Sequence, residues 1–248
     1  MLHIDNLSFS FDSQEVLNAF SLCLRQNEIG CLIGASGSGK TTLFKLLTGR
    51  LPLQKGSFSI NGILPPKAHS HAGFMTQDPF LLPWRTLLDN LLLGKELGKK
   101  PKENKTALKE QGQAYLRDVG LEGWENKYPE QLSGGMRQRA ALAAILLQKH
   151  PLLLLDEPFA ALDVYHRQQM INLLLTIRQR FGTTMLMATH DFRDALSLAD
   201  RIFLLAHGKL VKEWKVSSEI RNDPLLFHHC CNEIQEEFRI LSFCLPTQ

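Results

Sequence analysis

Gly34-Ala35-Ser36-Gly37-Ser38-Gly39-Lys40-Thr41 lies between the apolar run Ile29-Gly30-Cys31-Leu32-Ile33 and a segment, residues 41–49, in which Leu43, Leu46 and Leu47 share one helical face. A short apolar run of this length reads as a strand buried on both sides. The order is therefore strand, glycine loop, helix. The octet satisfies G-x-x-x-x-G-K-[ST] at every position, in the context the pattern requires. Its glycines let the backbone turn tightly and aim several N–H groups inward. Together with the helix N-terminus, those donors make an anion site suited to phosphates. Lys40 supplies positive charge to the β- and γ-phosphates, and the Thr41 hydroxyl is a ligand for Mg²⁺. A Gly/Ser-rich linker ending by chance in Lys-Thr would lack these flanks.

A second element of the same chemistry lies downstream. Leu152-Leu153-Leu154-Leu155-Asp156-Glu157 is an apolar strand that ends in two carboxylates, and strand ends of such sheets are where ligands bind. Asp156 suits the Mg²⁺. Glu157, one residue on, points elsewhere and suits the attacking water. On its own the pair also reads as a solvated acidic turn. With the phosphate loop upstream, the reading is a nucleoside triphosphatase. A guanine-specific N-K-x-D motif is absent, since neither Asn104-Lys105-Thr106-Ala107 nor Asn126-Lys127-Tyr128-Pro129 supplies it. Adenine is the favoured base.

The remainder of the 248 residues frames these motifs. Lys plus Arg number 28 against 25 Asp plus Glu, a formal charge of +3. That excess is too small to argue for nucleic acid or an anionic membrane surface. Hydrophobic residues at 44% and charged residues at 21% exclude wholesale disorder. Five cysteines without a C-x-x-C pair point to a reduced, cytosolic compartment. The N-terminal residues lack signal-peptide character, and no run of about 18 apolar residues offers a membrane span. Alternation predicts strands at 2–4, 7–11 and 20–24, then 56–60 and 73–77. Residues 86–147 favour helix, at 86–93, 106–119 and 134–147. The β texture resumes at 152–155 and alternates with helices at 165–180 and 192–199, with further strands at 184–188, 201–205 and 209–213. From 217 to 248 periodicity is weak. Length alone allows one large domain or two small ones.

Leu132-Ser133-Gly134-Gly135-Met136 precedes the acidic strand and, with the motifs above, resembles the signature of ABC ATPases. The resemblance covers residues 2–216, with six motifs in the family's order. They are the phosphate loop at 34–42, the Q-loop at Gln77, the signature at 132–136, the Walker B strand at 152–157, the D-loop Ala161-Leu162-Asp163 and the switch histidine His190. It implies an α/β fold, a P-loop NTPase core with an N-terminal antiparallel β part and an inserted α-helical subdomain. The implied division is a cassette at 1–216 (core 1–78 and 150–216, helical subdomain 79–149) and a C-terminal extension at 217–248.

The resemblance also implies a mechanism. Two cassettes pair head to tail around two ATP molecules, as a homodimer or with a similar cassette. Gly34, Ser36, Gly37, Ser38, Gly39, Lys40, Thr41 and Thr42 of one chain, and Ser133, Gly134 and Gly135 of the other, hold each ATP. Thr41, Gln77 and Asp156 serve the Mg²⁺. Glu157, His190 and Gln77 are the catalytic set, and Asp163 works across the interface. Phe11 stands where the family stacks an aromatic on adenine; the competing reading is a core strand residue. ATP binding closes the pair, and hydrolysis opens it to drive a membrane partner.

Phe80-Leu81-Leu82-Pro83-Trp84-Arg85-Thr86-Leu87-Leu88-Asp89-Asn90 is similar to a stretch of importers for nitrate, sulfonates, taurine and pyrimidine precursors. Met136-Arg137-Gln138-Arg139 is similar to the same group. The group's Arg-Pro-Gly near the last strand is replaced by Ala206-His207-Gly208-Lys209. Ala144 stands where Arg is usual, and Ala160 where Ser is common. The expected protein is the ATPase subunit of a bacterial importer, peripheral on the cytoplasmic membrane face. Its expected partners are permease subunits and a solute-binding protein, with no nucleic acid. The alternative is an ABC-type ATPase outside transport, yet such proteins carry paired cassettes or long coiled coils. No regulatory domain of about a hundred residues fits after Val216. Residues 95–105, rich in lysine, read as a solvated loop. His228, His229, Cys230, Cys231 and the later Cys244 have metal-ligand chemistry at a spacing that matches no zinc pattern, and read as tail residues.

Overall fold

The computed structural model describes residues 1–98, 104–160 and 162–243. Ala161, Cys244 and part of the lysine-rich stretch, residues 99–103, lie outside the described residues. Two sheets organise the chain. Strands β1 (Leu2–Phe11), β2 (Gln14–Leu24) and β4 (Lys55–Ile60) form an antiparallel sheet in the order β2-β1-β4. The larger sheet contains β3 (Ile29–Ile33), β5 (Ala72–Met75), β6 (Leu152–Asp156), β7 (Thr184–Thr189), β8 (Arg201–Ala206) and β9 (Lys209–Lys215). Its order is β5-β6-β7-β3-β8-β9, parallel except for the β8–β9 pair.

The apolar runs of the sequence are strands covered on both faces. In β3, Ile29, Cys31 and Ile33 enter one core cluster while Leu32 enters another. Leu153 and Leu155 of β6 divide from Leu152 and Leu154 in the same way, as do Met185 and Met187 of β7 from Leu186 and Ala188. Period-two alternation sends successive side chains to opposite faces. One face packs on helices and the other on the antiparallel sheet and α1 (Lys40–Leu47). A fully apolar run satisfies both.

Helices α2 (Leu87–Leu97), α3 (Lys105–Asp118) and α4 (Gly134–Leu147) build a third core around Leu87, Leu91, Leu116, Leu121, Ala140 and Leu147. Thr86 caps α2 by accepting from the Asp89 amide at 3.2 Å. Ser133 caps α4 by accepting from the Met136 amide at 3.3 Å. Both are standard side-chain solutions for orphan amides at a helix start. Helices α5 (Val164–Phe181) and α6 (Phe192–Leu198) cover the large sheet. The helical layer touches α5 where Tyr115 stacks on Phe181 at 5.9 Å and Asp118 pairs with Arg180.

The tail differs from its weak sequence pattern. It forms α7 (Ser218–Asn222) and the 20-residue α8 (Pro224–Phe243). Phe227, Cys231, Ile234, Phe238 and Leu241 lie on one stripe of α8 and pack on the core cluster of β3, β6 and β7. The stripe is interrupted by polar residues that have partners on β9. Glu233 accepts from the Trp214 indole N–H at 2.8 Å and pairs with Lys212, which also pairs with Glu237. Arg221 of α7 donates to the Ala199 carbonyl. Hydropathy periodicity misses a helix docked by ion pairs as much as by apolar contact.

Among the described residues no helix is long and apolar enough to cross a membrane. Among the same residues, no group of three or more His, Cys, Asp or Glu side chains is placed to hold a metal ion. Cys230 and Cys231 sit against the core, where burial raises both thiol pKa values.

The docking of α8 is open to test. Ile234 is fully buried, whereas Ile240 on the same helix is 52% exposed. Ile234→Ala will lower the unfolding free energy by about 2–4 kcal/mol, the usual cost of a large core truncation. Ile240→Ala will stay within about 0.5 kcal/mol. Urea unfolding of the two variants reads the difference directly.

Candidate nucleotide site

The parallel register brings the C-terminal ends of β3, β6 and β7 to one edge of the sheet, the edge at which open α/β sheets bind ligands. The loop of residues 34–39 leaves β3 and enters α1. Gly39 holds the N-cap position at φ 106°, and no side chain caps the helix start. The first amides of α1 thus point into the loop as donors for an anion. A Cβ on Gly39 would meet the Val16 carbonyl oxygen at 3.0 Å, so the loop is pressed against β2. Lys40, buried, donates from Nζ to the Gly34 carbonyl at 2.7 Å and the Ala35 carbonyl at 3.0 Å, with Ser38 Oγ at 3.4 Å. Burial lowers its pKa, and the nearby Glu157 and Asp156 carboxylates oppose that shift.

Asp156 closes the site from β6. Thr41 Oγ1 donates to Asp156 Oδ2 at 2.8 Å. Burial raises the Asp156 pKa, the Thr41 hydrogen bond pulls it down, and Glu157 pushes it further up. A buried carboxylate facing a hydroxyl is a hard oxygen donor set, the kind Mg²⁺ takes, and a cation there would offset the cost of ionising Asp156. Glu157 follows with φ 48°. A non-glycine residue in this left-handed region carries about 1–3 kcal/mol of strain, which structures retain mostly at functional positions. The conformation is held by its amide, which donates to the Ala188 carbonyl at 2.9 Å. It aims the carboxylate at β7. Glu157 Oε1 lies 2.9 Å from His190 Nδ1, and Glu157 Oε2 accepts from Thr189 Oγ1 at 3.2 Å.

Phosphate loop, Asp156, Glu157 and His190 therefore form one assembly. Ser133 is the N-cap of α4, and Gly134 and Gly135 open the helix. A Cβ on Gly135 would lie 3.0 Å from Leu162 and 3.7 Å from His166. The missing side chain allows α4 to approach the segment leading to α5. Asp163 caps α5, accepting from the His166 amide at 2.9 Å and facing its Nδ1 at 2.8 Å. Those bonds hold its carboxyl below the usual range. Phe11 ends β1, 46% exposed as a residue, with its ring set edge-on to Phe9 at 4.8 Å. It is not a core residue. Gln77 lies two residues beyond β5, which ends at Met75 rather than at 77, and is exposed. Thr42 lies partly exposed within the first turn of α1.

Residues 17–160, more than half of the chain, match the family described as ABC transporter. The chain belongs to the ABC transporter family. This cassette is accordingly an ATP-binding protein and an ATPase. It is 40% identical over 208 residues to the taurine import ATP-binding protein TauB of Escherichia coli O157:H7, covering 84% of this chain and 80% of that one. It is 39% identical over 212 residues to the aliphatic sulfonates import ATP-binding protein SsuB 2 of Agrobacterium fabrum, covering 86% and 78%. Among solved structures, the dimeric post-hydrolysis state of the cassette MJ0796 bound to ADP and Pi superposes with a TM-score of 0.78 at 26% identity, over 88% of this chain and 100% of that one. CbiO1 from Clostridium perfringens gives 0.81 at 22% identity, over 97% and 98%, a likeness of fold.

Two participants in this cassette's polar network escaped the sequence reading. Thr189 bridges Glu157 and the Asp191 amide, the latter at 3.1 Å. Arg167 reaches Asp191 and Asp194 from α5. A hydroxyl beside a candidate histidine, and two acidic residues three apart at a helix start, were the available signals.

The two loop glycines separate strain from contact. Gly37 has φ 81° with no atom within 4 Å of a Cβ, whereas Gly39 combines φ 106° with the Val16 carbonyl. Gly37→Ala will cost about 1 kcal/mol of stability. Gly39→Ala will cost about 2–3 kcal/mol and weaken ATP binding as well, read by urea unfolding and by titration with labelled ATP.

Proposed function

We propose that this cassette is the ATP-hydrolysing subunit of a bacterial importer, peripheral on the cytoplasmic face of the membrane. The division that fits this role is core 1–78 and 150–216, helical subdomain 79–149 and C-terminal extension 217–248. The observation that carries the catalytic reading is the joint placement of Thr41 on Asp156 and of Glu157 on His190 beside Lys40. Gly34, Ser36, Gly37, Ser38, Gly39, Lys40, Thr41 and Thr42 take the phosphates, and Phe11 offers its exposed ring to adenine. Thr41, Asp156 and Gln77 would hold Mg²⁺, which would supply positive charge against the phosphates. Glu157 accepts the proton of the attacking water. His190 contacts the γ-phosphate and keeps the Glu157 carboxylate aimed. Ser133, Gly134, Gly135 and Asp163 serve the second site of a cassette pair. Gly135 packs beside Leu162 and His166, which flank Asp163, and the neighbour MJ0796 is dimeric.

The importer assignment has its own surface. Phe80 is 91% and Trp84 72% exposed, too much apolar area in one stretch for an unpartnered surface. Beside them a cavity of about 420 Å³ opens between the two layers, lined by Arg50, Phe74, Pro79, Phe80, Leu93 and Leu97. A permease helix is the proposed occupant. The names of the relatives support a small sulfonate, such as taurine, as the solute, delivered to the permease by a solute-binding protein.

Glu157→Gln will retain ATP binding and lose turnover by at least about a hundredfold, the scale of general base loss. Near-normal turnover would remove Glu157 from that role. Lys40→Ala will abolish ATP binding or turnover, and an unchanged rate and affinity would overturn the phosphate-loop reading.

Expressed from its native gene neighbourhood, the wild-type chain will co-purify from membranes with permease subunits. Phe80→Ala combined with Trp84→Ala will release it while leaving ATP binding intact. Recovery without any membrane protein would count against the importer role.

A further inference from the structure

Arg167 lies in the first turn of α5, four residues after Asp163. Its Nη1 donates to Asp191 Oδ2 at 2.9 Å and to Asp194 Oδ1 at 3.3 Å. Both carboxylates belong to the start of α6. Asp191 is its N-cap, accepting from the Arg193 amide at 2.9 Å, and Asp194 is buried in its first turn. The Asp191 amide donates to Thr189 Oγ1, and that hydroxyl donates to Glu157 Oε2. His190, between the two, faces Glu157 Oε1. A series of polar contacts thus runs from α5 to Glu157 Oε2, and His190, which faces Oε1, lies on the same three-residue segment.

The charges explain why a guanidinium stands there. Asp191 and Asp194 repel each other, and Glu157 adds to the field. Asp194 is pushed up to about 6, first by burial and then by Asp191, with Arg167 opposing. Without a cation, Asp194 would be driven further toward its protonated form. One guanidinium nitrogen serves both carboxylates, and Arg, unlike Lys, keeps its charge where burial opposes it. The guanidinium is also held at a cost, because Arg167 Nε is buried with no hydrogen-bond partner. Such orphaned donors are rare and call for a reason.

We propose that Arg167 is a positioning residue for ATP hydrolysis: by clamping Asp191 and Asp194 it holds residues 189–191 against Glu157 and fixes the aim of its carboxylate. The proposal rests on the reading of Glu157 as the general base. Arg167 acts through residues 189–191 and not on the reacting atoms.

The test is a mutant cycle on the intact chain, with turnover, single-turnover phosphate release and equilibrium ATP binding as readouts. Arg167→Met will lower kcat about tenfold, a fraction of what a general base supplies, with ATP affinity changed less than about twofold. Arg167→Lys will recover part of the rate. In a Glu157→Gln background, Arg167→Met will change the residual rate less than twofold, because the group it positions is no longer a base. A purely structural role would lower the rate by the same factor in both backgrounds, and that result overturns the proposal, as does an unchanged kcat in Arg167→Met. Should Arg167→Met fail to fold, Asp191→Asn enters the same cycle with the same expectations. Wild-type turnover that survives Glu157→Gln would instead overturn the reading of Glu157, so the two failures are told apart.

Discussion

The parallel pairing of β3 with β7 and of β7 with β6 is the constraint on which the remaining structure depends. In register, Ile33 stands opposite Thr189, and Asp156 stands opposite Ala188. The three strands consequently end at one edge. The chain segments leaving those ends are the phosphate loop, the Asp156-Glu157 pair and the Thr189-His190 pair. Residues more than a hundred positions apart come within hydrogen-bond distance because the ladder leaves no freedom to slip. A shift of one residue would exchange every core side chain between two filled faces.

The edge concentrates charge where burial makes charge costly. Asp156 and Lys40 are both buried, and each is pushed toward its neutral form while the other opposes the shift. Glu157 adds backbone strain, and Arg167 carries a donor without a partner. None of these features favours the folded state by itself. They are sustained by the two-sided apolar core of Leu, Ile, Met and Phe side chains below, whose burial at about 25 cal/mol per Å² supplies the excess. The site is where the molecule spends structural consistency and the sheet is where it is kept.

The legible part of this fold was its punctuated part. The glycine octet, the Leu152–Asp156 strand and the helix starts at Thr86 and Ser133 all carry local chemistry that works without knowledge of the neighbours. Most helices and strands were accordingly placed within a few residues of their observed ends, but 2–4 and 7–11 form the single strand β1 and β2 begins at Gln14, six residues before the expected start at 20. The strand ending at Met75 was read two residues long because Thr76 and Gln77 carry no stop signal. Helix α8 was not foreseen at all. Its stripe of Phe227, Cys231, Ile234 and Phe238 is broken by His, Asn and Glu, and the partners Lys212 and Trp214 that give Glu233 and Glu237 a place are supplied by β9.

By itself the sequence determined the phosphate chemistry, the α/β class and the family, because each rests on residue types at short, fixed spacing. Backbone amides and a lysine bind phosphate wherever a strand–loop–helix presents them. Tertiary structure alone decided which side chains cooperate. The Thr41–Asp156 bond spans 115 residues and the His190–Glu157 contact 33, distances over which no pattern reports proximity. It also decided that Phe11 is half exposed, that Gly135 packs beside Leu162 and His166, and that Arg167 answers to Asp191 and Asp194. The physical reason is that hydrogen bonds and ion pairs are short-ranged and directional. They are set by where the sheet register and helix packing bring the backbone, which no local stretch of sequence contains.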